Sequence, residues 1–132
     1  YPLWSFWENI RTWWEIRDLP NVKLIHYQAL KDDMPGEIRA IAKFLDIPIV
    51  ETVWDDILHH CSFDYMKANA TPAVPLGGAF WDEGAQVFIH QGVNGRWNDM
   101  LPTDESTRYA QTAIDQLGDD CAHWLATGQL KP

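Results

Sequence analysis

The sequence has no apolar run near the ~18 residues that a membrane helix needs, no secretory leader, and only two cysteines, Cys61 and Cys121. The first absence leaves no helical membrane span to expect, and the acidic balance below argues against an anionic membrane as a partner. Two cysteines make no disulfide framework. Cytosolic thiols rarely pair, so both are expected to be reduced in a cytoplasmic protein. A single bridge stays open, because sequence does not give their separation. Positive charge is also scarce: ten Lys and Arg face nineteen Asp and Glu, a net −9. That balance argues against nucleic acid as a partner and makes the chain alone a poor host for a polyanionic ligand. With 132 residues there is room for one domain, 1–132. The first residue is Tyr1 and not Met, so an upstream segment is expected.

Tryptophan is abundant. Five of the eight (Trp4, Trp7, Trp13, Trp14, Trp54) lie before residue 55, so much aromatic surface must be covered there. The spacing predicts a helix over 3–17, with Trp7, Ile10 and Trp14 on one face and Trp4 a turn earlier. Pro20 ends it. Val22 to Tyr27 (VKLIHY) predicts a strand with bulky groups on both faces, as in the middle of a covered parallel sheet. Asp33 is a good N-cap for a second helix, with Pro35 and Glu37 in its first turn and Ile38, Ile41, Ala42 and Leu45 as its apolar set.

A third helix is expected over 51–60, with Val53, Trp54, Ile57, Leu58 and Cys61 on its buried side. The Pro-, Gly- and Ala-rich stretch 69–84 predicts a long loop. Thr103 is expected to cap a helix to Leu117, Gly118 to break it, and a last helix to run from Asp119 to Gly128. One strand cannot form a sheet, so the pattern is that of part of a larger α/β domain.

Three segments carry a family resemblance. Val22-Lys23-Leu24-Ile25-His26-Tyr27-Gln28-Ala29-Leu30-Lys31, followed by Glu37 to Leu45, resembles a strand ending in Tyr-Glu-Asp-hydrophobic-Lys and then a helix closing on Phe-Leu. His60-Cys61-Ser62-Phe63-Asp64-Tyr65-Met66-Lys67-Ala68-Asn69 is similar to His-Thr-Ser-Phe-x-x-Met-Lys-x-Asn. Phe88-Ile89-His90-Gln91-Gly92-Val93-Asn94-Gly95-Arg96-Trp97 resembles an Arg-Lys-Gly-x-x-Gly-x-Trp signature. In this order and spacing they resemble the C-terminal half of the soluble sulfotransferases, which use adenosine 3′-phosphate 5′-phosphosulfate (PAPS).

The resemblance implies a mostly α-helical C-terminal part of a P-loop-type α/β fold, with one parallel-sheet strand. It implies that Tyr27, Cys61, Ser62 and Phe63 border the nucleotide. Phe88, Ile89, His90, Gln91 and Gly92 would wrap the 3′-phosphate of PAPS or its product PAP, and Trp97 would anchor that loop onto the core. Glycine lets backbone N–H groups approach phosphate oxygens closely. The sequence departs from the family where His90-Gln91 replaces Arg-Lys, which removes up to two fixed positive charges. Cys61 replaces a threonine hydroxyl.

A larger departure is absence. No Pro-Lys-(Ser/Ala)-Gly-Thr run for the 5′-phosphosulfate occurs between Tyr1 and Pro132. By resemblance, the parent chemistry is attack of a hydroxyl or amine on sulfur, driven by positioning and charge stabilisation. None of the groups assigned to that step is in this chain, so no catalytic residue is named. The chain alone is expected to be inactive and to bind only the 3′-phosphate end, weakly or not at all.

Simpler readings compete. Tyr27 fits a plain core tyrosine. The tryptophans at helical spacing fit core or interface. His59, His60 and Cys61 have no second ligand pair at zinc spacing, so no metal is expected. The rival function is a non-enzymatic, Trp-rich module for protein interaction or self-association. An exposed strand and aromatic helix favour self-association or cover by a missing N-terminal half.

Overall fold

The computed structural model describes residues 5–131. The chain divides into two compact units, Tyr1–Ile38 with Gly95–Pro132, and Arg39–Asn94. In the first unit, α1 (Phe6–Glu15) starts where the Ser5 hydroxyl accepts the Glu8 N–H at 3.4 Å. Residues 3 and 4 of the expected helix, Trp4 among them, lie outside the described residues. The predicted face is the one that packs. Trp7 meets Tyr109 with ring centroids 5.5 Å apart, and Trp14 meets Trp124 at the same separation.

Those partners sit on α8 (Thr103–Leu117) and α9 (Asp119–Thr127), divided by Gly118. Pro102, already extended, holds the N-cap position expected for Thr103, which is instead the first helical residue and makes no cap bond. Asp104 and Glu105 in that first turn complement the helix dipole. Asp119 and Asp120 lie likewise in the first turn of α9. Ala113, Cys121 and Ala122 form the buried centre of this unit.

The expected strand Val22–Tyr27 does not form. Among the described residues there is no β-strand, and a lone extended segment has no ladder to join. Tyr27 opens a helix, α2 (Tyr27–Asp32). His26 is the switch between the two conformations. Its backbone is extended, and its Nδ1 accepts the Gln28 N–H at 3.2 Å as an N-cap. The chain then passes through Asp33, whose carboxylate accepts the Gly36 N–H at 3.0 Å and starts α3 (Met34–Phe44) as predicted.

In the second unit the Arg39 guanidinium makes a two-pronged bond to Glu51, at 2.7 and 3.0 Å, and lies 3.9 Å from the Trp54 ring. The hydrogen bond holds the Glu51 carboxyl below the ordinary carboxylate range. A 3-10 turn (Glu51–Val53) leads into α4 (Trp54–Cys61), on which Ile57 and Leu58 are half-buried. Cys61, expected on the buried side, is exposed. It is the last residue of α4, and the chain leaves the helix at Ser62. Val53 is exposed as well.

Beyond α5 (Phe63–Ala68), the expected loop 69–84 is partly helical. It contains α6 (Ala70–Ala73) and a 3-10 turn (Pro75–Gly78), and α7 (Ala85–Phe88) follows. It also contributes most of this unit's buried cluster, Ala70, Val74 and Ala85, with Ile89 packed against them. Small side chains let these short turns approach closely, which is how a Pro- and Ala-rich stretch becomes a core. Among the described residues no helix is long and apolar enough to cross a membrane.

Candidate functional site

The site in the second unit is built around the turn from α4 to α5. The Ser62 hydroxyl donates to the His59 carbonyl at 2.7 Å and accepts the Tyr65 N–H at 3.2 Å. These two bonds fix the corner, so that Phe63 begins α5 half-buried. The loop after α7 then brings Gly92 against the Phe63 ring. Gly92 has φ +61°, and a Cβ placed there would lie 2.6 Å from the ring carbons. Only glycine gives both that conformation and that approach.

Lys67 lies four residues along α5 from Phe63, on the same helix face. Its ammonium donates to the His90 carbonyl at 2.6 Å and sits 5.8 Å from the Phe63 ring centroid. Ile89 points inward onto Ala70, Val74 and Ala85 and roots the start of the loop. His90 and Gln91 are exposed.

Of the residues expected to border a nucleotide, Ser62, Phe63, Ile89, His90, Gln91 and Gly92 belong to this one assembly. Cys61 stands exposed at its edge. Phe88 ends α7 and packs at a tilt against Trp81, with ring centroids 4.9 Å apart. Tyr27 belongs to the first unit and is 57% exposed at the start of α2. Trp97 is the residue expected to anchor the loop onto the core. It lies in a 3-10 turn (Arg96–Asp99) of the first unit and is 54% exposed.

Sequence reasoning missed Lys67 as a site residue, although the motif containing it was legible. Its i+4 spacing from Phe63 places it on the same helix face but says nothing of its bond to His90. Among the described residues, no group of three or more His, Cys, Asp or Glu is placed to hold a metal ion. The rings of His59 and His60 instead pack against Tyr65, at 4.9 and 4.5 Å. A side-chain-free backbone beside a lysine ammonium suits an oxyanion, and an adjoining aromatic ring suits a planar base. Asp64 in the first turn of α5 opposes an anion on that side.

A family model for the sulfotransferase domain matches residues 2–122. The chain belongs to the sulfotransferase family. Sulfotransferase 1B1 of Mus musculus is 32% identical over 108 residues, covering 80% of this chain and 36% of that protein. Sulfotransferase 1A1 of Rattus norvegicus is 29% identical over 116 residues, covering 84% of this chain and 40% of that one. The chain thus spans well under half the length of these curated relatives.

Among solved structures, the crystal structure of mouse sulfotransferase SULT7A1 complexed with PAP matches with a TM-score of 0.75 at 22% identity. The match covers 92% of this chain and 44% of that one. It establishes a sulfotransferase-type fold for a mostly helical chain.

Proposed function

We propose that this sulfotransferase chain contributes the 3′-phosphate end of a PAPS or PAP site, in a single partial sulfotransferase-like domain. The parent activity is transfer of a sulfuryl group from PAPS to a hydroxyl or amine acceptor. The observation that carries this reading is the close seating of Gly92 on Phe63. Residues from two separately recognised motifs meet there, with the Lys67 ammonium on the adjoining His90 carbonyl. Ser62, Phe63 and residues 88–92 of the second unit are the proposed nucleotide contacts, with Cys61 at their edge; only the family resemblance adds Tyr27, which belongs to the first unit. Val22–His26, unpaired here, is the segment we read as a strand when a sheet is there to receive it. The mouse SULT7A1 structure is a complex with PAP, which is consistent with this ligand class.

The chain carries no 5′-phosphosulfate loop, so in this reading it transfers no sulfuryl group alone and binds the nucleotide weakly. A cytoplasmic setting fits an activated-sulfate donor. NMR titration of the chain with adenosine 3′,5′-bisphosphate, with adenosine 5′-monophosphate as control, tests the site. Shifts at Phe63 and residues 89–92 that need the 3′-phosphate support it. Shifts that ignore that phosphate, or that fall elsewhere, remove it.

A second reading, self-association through aromatic surface, rests on a different observation. Phe6, Trp13, Leu101 and Tyr109 of the first unit are each about half exposed, and an apolar cavity of about 740 Å³ opens between α8 and α9. Such surface needs a cover, either a second copy or a sulfotransferase N-terminal half. Both readings hold together if the cover leaves the Gly92 loop open.

A further inference from the structure

The phosphate loop proposed above has exchanged its family Arg-Lys for His90-Gln91, yet the structure brings a lysine to it from another element. The lysines and arginines of the second unit are Arg39, Lys43 and Lys67. Arg39 is committed to Glu51 and Trp54. Lys43 lies in the last turn of α3. Lys67 touches the loop itself, through the carbonyl of the residue that precedes Gln91. An ammonium has three donors, and the bond to His90 uses one.

We propose that Lys67 supplies the positive charge toward the 3′-phosphate that His90-Gln91 no longer provides. This rests on the nucleotide reading of the same site. The bond to the His90 carbonyl holds the ammonium at the loop while its remaining donors stay available to an oxyanion. The alternative is a purely mechanical clamp, in which Lys67 only keeps residues 90–92 against Phe63. The two roles respond differently to charge restored elsewhere. A lysine at position 91 replaces a missing charge but not a missing clamp.

The test is NMR titration at millimolar ligand of four forms: the unmodified chain, Lys67→Met, Lys67→Arg, and Lys67→Met combined with Gln91→Lys. The ligands are adenosine 3′,5′-bisphosphate and adenosine 5′-monophosphate. We expect Lys67→Met to weaken the bisphosphate at least about tenfold, the scale of one charge-assisted hydrogen bond, with the monophosphate unchanged. Lys67→Arg stays within a few-fold, and adding Gln91→Lys to Lys67→Met recovers most of the loss. Unchanged bisphosphate affinity in Lys67→Met overturns the assignment. So does an equal loss for both ligands that Gln91→Lys fails to recover, which is the signature of the clamp. If the unmodified chain and the Gln91→Lys-containing form both ignore the bisphosphate, the nucleotide reading falls, and this inference with it.

Discussion

His26 closes the first unit onto Leu125. Its Nε2 lies 3.0 Å from the Leu125 carbonyl, across 99 positions of sequence. Its Nδ1 accepts the Gln28 N–H, so the ring must carry its proton on Nε2 and donate it to Leu125. The Trp124 ring meets the imidazole edge-on at 5.4 Å. Gly128 leaves room, since a Cβ there would come within 2.7 Å of Nδ1. One side chain therefore caps α2 and fastens the end of α9.

Replacing it separates the two duties. His26→Ala loses both and should cost about 1–3 kcal/mol. His26→Asn keeps an N-cap acceptor and should cost about half as much. Urea unfolding of the three forms measures the difference. Equal stability of His26→Ala and the unmodified chain would show that the cap and the Leu125 bond contribute nothing.

The two cysteines should behave as opposites. Cys61 is exposed and Cys121 is 1% exposed, and both are free. Burial pushes the Cys121 thiol up, a rise that the charge of Arg17 only partly offsets. A neutral buried thiol stabilises the fold fully below the ordinary thiol range near ~8.5. That contribution fades as pH rises from there through the raised folded value. At pH 7.5 a thiol reagent should therefore label Cys61 quickly and Cys121 only as fast as the first unit opens. Rapid labelling of both thiols in the folded chain would contradict this burial.

Self-association is the outcome expected from the exposed aromatic side chains of the first unit. At tens of micromolar, sedimentation should show species larger than one chain, and fluorescence quenching should find Trp13 more protected than its 52% exposure in the isolated fold. A clean monomer with freely quenched tryptophans would contradict self-association.

The amphipathic helices are legible from sequence because one face of each repeats at helical spacing. Trp7, Ile10 and Trp14 mark α1, and Gly118 and Gly128 mark the ends of α8 and α9 within a residue. The strand expected at Val22–Tyr27 is absent, since a short run of strand-favouring residues states a preference and pairing decides it. Without a neighbour, His26 turns the chain into α2 instead. The stretch 69–84 reads as loop because proline and glycine hide its short helical turns. Small residues such as Ala70 and Ala85 give no periodic signal, although they form the core there. At the site, the motifs name Phe63 and Gly92 separately. Their contact, and the reach of Lys67 to His90, are tertiary facts that no spacing rule contains.

Residues 88–92 are proposed as a phosphate loop short of charge, and one substitution addresses that directly. Gln91→Lys restores a cation beside Gly92, and a charge-assisted hydrogen bond contributes about 1.5–3 kcal/mol. Calorimetric or NMR titration should show the substituted chain binding adenosine 3′,5′-bisphosphate about tenfold or more tightly than the unmodified chain. The gain should be largest at low salt, where screening is least, and absent for adenosine 5′-monophosphate. Equal affinity of the two forms for both ligands would contradict the phosphate-loop assignment and leave the self-association reading in its place.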